Sequence, residues 1–551
     1  MTTCTQCSAP FKITNDDLAF YEKVSPVLAG KKYLIPPPTL CPPCRAQRRL
    51  AFRNERCLYH RKSDLSGKQI ITMYAANTPF KVYDQKEWWG DGWDGLTFGR
   101  EVDWSRPFFD QFKELLFAAP KISMINKEHQ NSEYSNFALW NKNSYMLFTS
   151  GGCEDSFYSN RSTRSKNICD CSSAIDCELC YEIVDCNKCY ACAWMQNCEG
   201  CHDCVLGYDL RSCKNCFACF GLQNAQYCIG NKKVSKEEYE RLLPGLRANF
   251  ADMKAKFEKH KVELPRKYMH GFGNEGCTGN AIQHSKNARE CYEVSEVQDC
   301  TFVSNVTSIK DAYDVNNDDN SELVYEAVGS ESNSMHCFND ICWFDRDVLY
   351  SNLCFHSKNL FGCCSLKHKQ YCILNKQYSK EEYEALVPKI IEHMKQTSEW
   401  GEFFTPTISP FGFNETVGME NYALTKEEAL KRGWKWTDED ESREKYLGPA
   451  VDIPSRIEDT DDVICQKILT CEVTGRAYKI IPQELALYRT MKIPIPHKCP
   501  EQRHKERMAM RNPRKLWSRT CMKCNTAIQT TYAPDRPEKI YCEECYLKEV
   551  Y

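Results

Sequence analysis

The residues best suited to chemistry are cysteines, which form paired C-x-x-C motifs near both ends of the chain. Two such motifs place four thiolates around one tetrahedral ion, and thiolate-only sites select zinc or iron. A closed four-thiolate site leaves no open coordination position, so each ion would be structural and not catalytic. We therefore predict two structural zinc ions, one bound by Cys4, Cys7, Cys41 and Cys44 and one bound by Cys521, Cys524, Cys542 and Cys545.

The spacing of the motifs supports the C-terminal site more strongly than the N-terminal site. The segment between Cys524 and Cys542 has a length that is typical of a zinc ribbon. The segment between Cys7 and Cys41 is about twice as long, and the C-P-P-C form of the second motif supports the site. Free or disulfide-bonded cysteines are the alternative for both groups.

The two ends of the chain are related by duplication. From Cys41 onward, the N-terminal module aligns without a gap to residues 458 positions later. Each module then consists of two half-modules, and only one of the two keeps four cysteines. We expect the other half-modules to keep the ribbon fold through their apolar residues. The positions that have lost a ligand are Thr474 and Gln502 in the C-terminal module and Ser63, Ser66, Asp84 and Glu87 in the N-terminal module.

The middle of the chain contains a second duplication, in which residues 214–244 match residues 358–388. Each copy ends in a helix that an S-x-x-E motif predicts, with Ser235 and Ser379 as the N-cap residues. Ser105 is the predicted N-cap of a further helix. Cysteines recur at a 21-residue spacing, as in Cys171 and Cys192, and a repeat of about 20 residues is typical of one turn of a parallel β-helix.

The predicted fold class is therefore mainly β with short helices, in which duplicated zinc-ribbon modules flank two cysteine-rich parallel β-helix (solenoid) repeats. The predicted segments are an N-terminal double-ribbon module at 1–90, an aromatic linker and capping helix at 91–125, repeat A at 126–265, repeat B at 266–400, a linker at 401–464 and a C-terminal double-ribbon module at 465–551.

The cysteines of repeat A have two interpretations. In the first they are buried thiols that stack along the β-helix, and in the second they bind zinc or an iron–sulfur cluster. No C-x3-C-P sequence completes a ferredoxin pattern, and repeat B aligns with few of the same cysteines, which favours buried thiols. The candidate second metal region comprises Cys186, Cys189, Cys192, Cys198, Cys201, Cys204, Cys213, Cys216 and Cys219.

A basic segment follows the second motif of the first ribbon in each module. Leu50 and Phe52 should pack this helix on the ribbons, so that its arginines point outward and suit bidentate contact with phosphate. The alternatives are a protein interface or self-interface, a solvated face, and arginines paired with the acidic body. The candidate nucleic-acid contacts are Arg45, Arg48, Arg49, Arg53, Arg56, Arg503, Arg507, Arg511 and Arg514.

Composition limits the class of protein. Residues 1–90 hold 14 Lys/Arg and seven Asp/Glu, whereas the whole chain has a net charge of −3, so basic ends flank an acidic body. The chain carries 36 cysteines but no apolar leader and no long apolar run, which favours a reducing cytoplasm over secretion and excludes a predicted membrane span. We find no P-loop, no dinucleotide-binding glycine pattern and no H-E-x-x-H, so we lean against an enzyme.

The combined motifs resemble a family of zinc-ribbon proteins from ultra-small candidate-phyla bacteria. The resemblance rests on the CxxC and CPPCRAQRRLAFRNERCLYHRK motifs, RPFFDQFKELLF, the repeated YCIxNKxxSKEEYE and the closing IYCEECYLKEVY. It covers nearly the whole chain and brings no activity that could be transferred. Similar sequences more often carry cysteine at the positions of Thr474 and Gln502, which implies that this chain has lost one metal there.

The sequence leads us to predict a non-enzymatic zinc-binding scaffold or binding protein that contacts nucleic acid through its basic ribbon modules. The alternative hypothesis is a self-assembling structural protein, in which the related ends of neighbouring chains make head-to-tail contacts. An iron–sulfur or metal-binding redox protein is the third hypothesis.

Overall fold

The structure is a computed structural model that describes residues 1–438, 448 and 451–551. The chain folds into two compact units, each built from two separate stretches of sequence. The first unit combines residues 1–124 with residues 271–437, and the second combines residues 125–270 with residues 438–551. Each unit therefore pairs one terminal module with the repeat that lies farther from it along the chain.

The first unit is mainly β. Its helices are Asn15–Val24, Pro42–Leu50, Gln85–Trp89, Phe108–Ala118, Lys380–Gln396, Val417–Asn421 and Lys426–Lys431, with short 3-10 turns at Gly95–Phe98, Pro406–Ile408 and Phe413–Glu415. Its strands are Thr2–Thr3, Pro10–Phe11, Val27–Leu28, Lys31–Lys32, Tyr59–Lys62, Gln69–Thr72, Val82–Tyr83, Lys121–Ile122, Gly271–Phe272, Gly279–Gln283, Lys286–Arg289, Cys291–Ser295, Gln298–Thr301, Ser304–Thr307, Lys310–Asn316, Glu322–Val328, Ser334–Asp340, Arg346–Leu349, Lys358–Phe361, Gln370–Ile373 and Lys376–Gln377.

The second unit is also mainly β. Its helices are Lys236–Ala248, Phe250–Glu263, Pro482–Met491, Pro500–Ala509 and Glu543–Val550, with 3-10 turns at Ile457–Asp459 and Asp462–Gln466. Its strands are Asn126–Lys127, Asn136–Leu139, Phe148–Gly151, Lys166–Cys169, Ser172–Ile175, Glu178–Asn187, Ala193–Gln196, Val205–Tyr208, Lys214–Phe220, Gln226–Ile229, Lys232–Lys233, Arg266–Lys267, Leu469–Thr470, Ala477–Tyr478, Trp517–Thr520, Ala527–Thr530 and Ile540–Tyr541.

Most strands of both repeats pair in parallel with a 12-residue register, and side-chain hydrogen bonds between successive turns have the same 12-residue offset. The register is 11 residues at the start of repeat B, where Gly271 pairs with Ile282, and each repeat ends in an antiparallel pair of short strands. In the second unit Tyr181 pairs with Ala193, and Ala193 pairs with Val205. In the first unit Lys310 pairs with Glu322, which pairs with Ser334. The predicted turn of about 20 residues is therefore wrong, because the cysteine spacing is a multiple of a shorter period.

That shorter period is three residues. Non-glycine residues with a positive φ recur at every third position, as in Glu290, Glu293 and Glu296. Between them, every third side chain is buried and faces the interior of the stack, as for Cys186, Cys189 and Cys192. The C-x-x-C-x-x-C pattern of repeat A therefore marks inward-facing positions of a backbone that turns every three residues.

A helix follows the last strand of each repeat, as the S-x-x-E motifs predict. Ser379 and Glu382 form the full capping box, and Ser235 accepts from the backbone N–H of Glu238. The helix Phe108–Ala118 begins two residues later than the Ser105 cap would place it. Its N–H groups at Phe108 and Phe109 donate to the carboxylate of Glu399, a cap distant in sequence.

The predicted linker at 401–464 contributes to the core of the first unit. Phe403, Phe404 and Ile408 are buried there with Phe52 and Phe112. Part of that predicted linker, 439–447 and 449–450, lies outside the described residues.

Burial of Asp318 inside repeat B should make the stability of the first unit depend on pH. Burial raises the pKa of this carboxyl to about 8, above the unfolded value. The folded state therefore binds a proton that the unfolded state has lost, and stability falls as pH rises between about 4 and 8. Asp318→Asn should gain stability over the wild type by up to roughly 1.4 kcal/mol per pH unit across that window.

Urea unfolding of both proteins at pH 5 and pH 8 measures this difference. Asp91→Asn, at an exposed carboxyl of the same unit, is the matched control and should show no such trend. A stability difference between Asp318→Asn and the wild type that is the same at both pH values would contradict the prediction.

Candidate metal centres and buried arginine clusters

All four half-modules share one backbone turn, whether or not they keep cysteines. The residue four positions after the first ligand position has a positive φ and donates its backbone N–H to the carbonyl of that first residue. The N···O distance is 2.9 Å in each pair: Ser8 to Cys4, Gly67 to Ser63, Gly475 to Cys471 and Asn525 to Cys521. The ribbon turn therefore forms in the half-modules that have lost ligands, as we expected.

The second ligand pair of each half-module lies at the start of a helix. The N-cap residues are Cys41 and Cys499 in one type of half-module, and Asp84 and Cys542 in the other. Free N–H groups and the positive end of the helix dipole favour thiolate at such a position. Each half-module thus brings a hairpin turn against a helix N-terminus.

The N-terminal tetrad brings Cys4, Cys7, Cys41 and Cys44 together, with ligand atoms within 4.8 Å of one another. The Sγ atoms of Cys7 and Cys41 are 3.6 Å apart. Four sulfurs at ~2.3 Å from one zinc ion would be about 3.8 Å apart, so this spacing suits a tetrahedral ion. Hydrogen bonding from Cys44 lowers the pKa of Cys41 to about 5, which favours the ligating thiolate.

The C-terminal tetrad has the same geometry. Cys521, Cys524, Cys542 and Cys545 place their sulfur atoms within 4.8 Å of one another, and Cys524 and Cys542 are 3.6 Å apart. The hydroxyl of Thr526 hydrogen-bonds to Cys524 and lowers the pKa of that thiol to about 6. Both sets of predicted ligands therefore form groups that could hold a metal ion.

In the half-modules without four cysteines, hydrogen bonds connect the positions at which the other half-modules have cysteine. Ser63, at the position equivalent to Cys521, donates its hydroxyl proton to Glu87, and the Asp84 N–H donates to the same carboxylate at 3.2 Å. In the C-terminal module the Thr474 hydroxyl lies 3.8 Å from the sulfur of Cys499. Direct polar contacts in these half-modules therefore connect the residues that a metal would otherwise link.

The nine cysteines of the candidate second metal region are buried in the interior of repeat A. Their thiols contact backbone carbonyls two residues earlier, as Cys192 does with Tyr190 O at 3.3 Å. Serines earlier in the same stack make the same contact, as Ser156 does with Glu154 O. Because serine and cysteine act alike here, these contacts favour the buried-thiol interpretation. None of the 36 cysteines, all of which lie within the described part of the chain, forms a disulfide bond in the structure.

The arginines of the helix Pro42–Leu50 do not point outward, and that prediction is wrong for them. Arg45 and Arg49 are 1% and 0% exposed, and Arg48 is 6% exposed. Arg45 contacts Asp314 at 2.8 Å, and Arg49 contacts Glu326 at 2.8 Å. Arg48 bridges Glu326 and Glu402, so three cations meet three carboxylates beside repeat B.

The second unit repeats this arrangement at equivalent positions. Arg503 and Arg507 align with Arg45 and Arg49 of the duplicated module, and Asp170 aligns with Asp314 of the duplicated repeat. The two guanidinium groups contact the two oxygens of Asp170 at 2.6 and 2.8 Å, and Glu484 lies 3.5 Å from Arg503. The duplication therefore covers the packing of module on repeat as well as the parts themselves.

The other candidate contacts differ in exposure. Arg53 and Arg514 are also buried, and Arg53 pairs with Glu55. Arg56 and Arg511 are partly exposed, and Arg511 contacts Asp185 at 3.4 Å. Seven of the nine arginines are buried, and for five of them, Arg45, Arg48, Arg49, Arg503 and Arg507, ion pairs with carboxylates of the acidic body, one of the alternatives above, offset the cost of burial. The acidic composition of the middle of the chain was the sequence feature that could have indicated these ion pairs.

Comparison with known proteins identified no matching family model and no matching curated protein. Within the described ranges, no helix is long and apolar enough to cross a membrane.

Proposed function

We propose that this protein is a non-enzymatic scaffold that two structural zinc ions stabilise, one in each four-cysteine group. Zinc is the ion that a closed, redox-inert set of four thiolates selects in a ribbon. The four ligand positions are all occupied by protein sulfur, which leaves no site for a substrate. The zinc ions hold the ribbon modules together, and the modules in turn cover the repeats.

The observation that carries the proposal is the repeated arginine–carboxylate cluster. The most basic helix of each module uses its arginines inside its own unit, where Asp314 or Asp170 lies between two guanidinium groups. Such side chains act as internal supports. They fix the module on the repeat and leave the partner surface to other residues.

The repeats supply the surface of the scaffold. We propose that they are β-helical solenoids, because the 12-residue parallel register holds along most of both of them. Equivalent side chains then stack at the strand spacing of about 4.8 Å. The pairs Lys142–Glu154 and Arg164–Asp176 join equivalent positions of successive turns and are exposed examples. A rigid face with a regular repeat suits the display of binding residues to a protein partner.

Binding of the full chain to labelled single-stranded RNA and duplex DNA over a range of salt concentrations tests this proposal against the nucleic-acid hypothesis. We expect binding no tighter than the general electrostatic range, about 10⁻⁴–10⁻⁶ M at physiological salt. Sub-micromolar binding whose logarithm falls steeply with the logarithm of salt concentration would support nucleic-acid binding and contradict the scaffold proposal as stated.

The same preparation separates the two remaining hypotheses. Sedimentation should give one small species at all salt concentrations, whereas large particles would support head-to-tail self-assembly. Anaerobically purified protein should lack the visible absorption band of an iron–sulfur cluster, and such a band would support an iron–sulfur protein.

A further inference from the structure

Repeat B contains a third group of metal-binding side chains, deep in its interior. His336, Cys342 and Asp345 each offer one ligand atom, and these atoms lie within 4.8 Å of one another. They are 0%, 0% and 2% exposed. All three come from a single turn of the stack, in which Asn339 is the fourth inward-facing residue.

Among the residues that the structure describes, neither ring nitrogen of His336 has a hydrogen-bond partner, and Oδ2 of Asp345 has none. Burying such groups without hydrogen bonds is strongly unfavourable in an apolar interior. The neighbours of His336 in the stack are Val324 and Val348, which pair with it in register and whose side chains cannot accept or donate. The two valines therefore cannot satisfy the ring nitrogens of this histidine, and a bound ligand explains its presence there.

Asp345 makes only one of the two backbone hydrogen bonds that the inward-facing asparagines near it make. Asn333 and Asn339 each accept a backbone N–H from the residue 12 positions later and donate their amide to the carbonyl nine positions later. Asp345 keeps the first bond, from Ser357 N–H at 2.7 Å, but has no amide for the second. An asparagine would form both hydrogen bonds with the backbone, so backbone hydrogen bonding does not account for a carboxylate at this position.

We propose that His336, Cys342 and Asp345 bind a third zinc ion inside repeat B. Imidazole nitrogen, thiolate sulfur and carboxylate oxygen are all common zinc ligands. One thiolate and one carboxylate neutralise the dication, and the imidazole adds no charge, so the occupied site is neutral in an apolar interior. Cys354, one turn further on, hydrogen-bonds to Cys342 but does not belong to the group whose ligand atoms all lie within 4.8 Å of one another.

Metal analysis of the full chain, purified from zinc-supplemented cells under reducing conditions, tests this inference. His336→Val and Asp345→Asn should each hold one zinc ion fewer than the wild type. The difference between wild type and variant is the readout, so the result does not depend on whether the two tetrads bind zinc. Equal zinc content in the wild type and a folded Asp345→Asn variant would overturn the inference.

Two further measurements keep the inference testable if a variant folds poorly. Cadmium-113 NMR of the cadmium-loaded wild type should show a resonance upfield of the thiolate-only tetrads, from a site with one sulfur ligand. The absence of that resonance would overturn the inference. In the presence of a strong chelator, Asp345→Asn should unfold at a higher temperature than the wild type, because asparagine restores the second backbone bond. A lower midpoint under those conditions would count against it.

Discussion

Replacing Cys521 by serine should remove one metal ion per chain and unfold the C-terminal ribbon locally. Structural zinc in a ribbon contributes an apparent binding free energy of ~10–16 kcal/mol at neutral pH, far more than the contacts of a half-module this small. The loss should appear in metal analysis and in hydrogen exchange, where amides of the hairpin Trp517–Thr520 and Ala527–Thr530 should lose protection.

Cys471→Ser is the matched control for this experiment. Cys471 occupies the same position in a ribbon turn of the same module, and it is equally buried. Its half-module has Thr474 and Gln502 in place of two ligands, so its replacement should leave the metal content unchanged. If both variants lose a metal ion, the assignment of ligands in this module is wrong.

Replacing Asp170 by asparagine should destabilise the second unit by about 3–5 kcal/mol, because it leaves two buried guanidinium groups without their shared carboxylate. Asparagine preserves the shape and tolerates the positive φ of 56° at this position, so the change isolates the charge. Asp314→Asn should have an effect of similar size in the first unit. Urea unfolding with hydrogen exchange to assign the unit affected measures both.

Lys505→Gln on the same helix, Pro500–Ala509, is the control, because Lys505 is exposed and its loss should change stability by less than about 0.5 kcal/mol. A cost below about 1 kcal/mol for Asp170→Asn would show that the cluster is well solvated or that its charges are not needed.

The sequence was sufficient to predict both cysteine tetrads and the duplication of modules and repeats, because these depend on local spacing. Elements of the two modules match at the predicted offset, as Tyr59–Lys62 matches Trp517–Thr520. It was also sufficient to predict a mainly β chain with short helices. Cysteine spacing alone does not indicate the 12-residue register between successive turns, because serine, alanine and asparagine fill the same inward positions.

The sequence did not show that the arginines are buried in ion pairs, because their partners lie far away in the chain. Asp314 follows Arg45 by 269 residues, and Asp170 precedes Arg507 by 337 residues. An arginine-rich helix has the same pattern whether it faces solvent or a buried acid. The group around His336 that we propose as a metal site was missed for a different reason. Its members are six and three residues apart, and these multiples of three are the spacing of the fold and not of a metal motif.

The non-contiguous make-up of the two units has a consequence for biosynthesis. A ribosome releases residues 1–124 long before their partners at 271–437, and residues 125–270 before their partners at 438–551. At about 5–20 residues per second, roughly 15–70 s separate the emergence of Asp170 from that of Arg503. The first unit can close once residue 437 has emerged, but the second unit cannot, so nascent chains should carry unpaired acids and uncovered strands in repeat A until the C-terminal module has emerged.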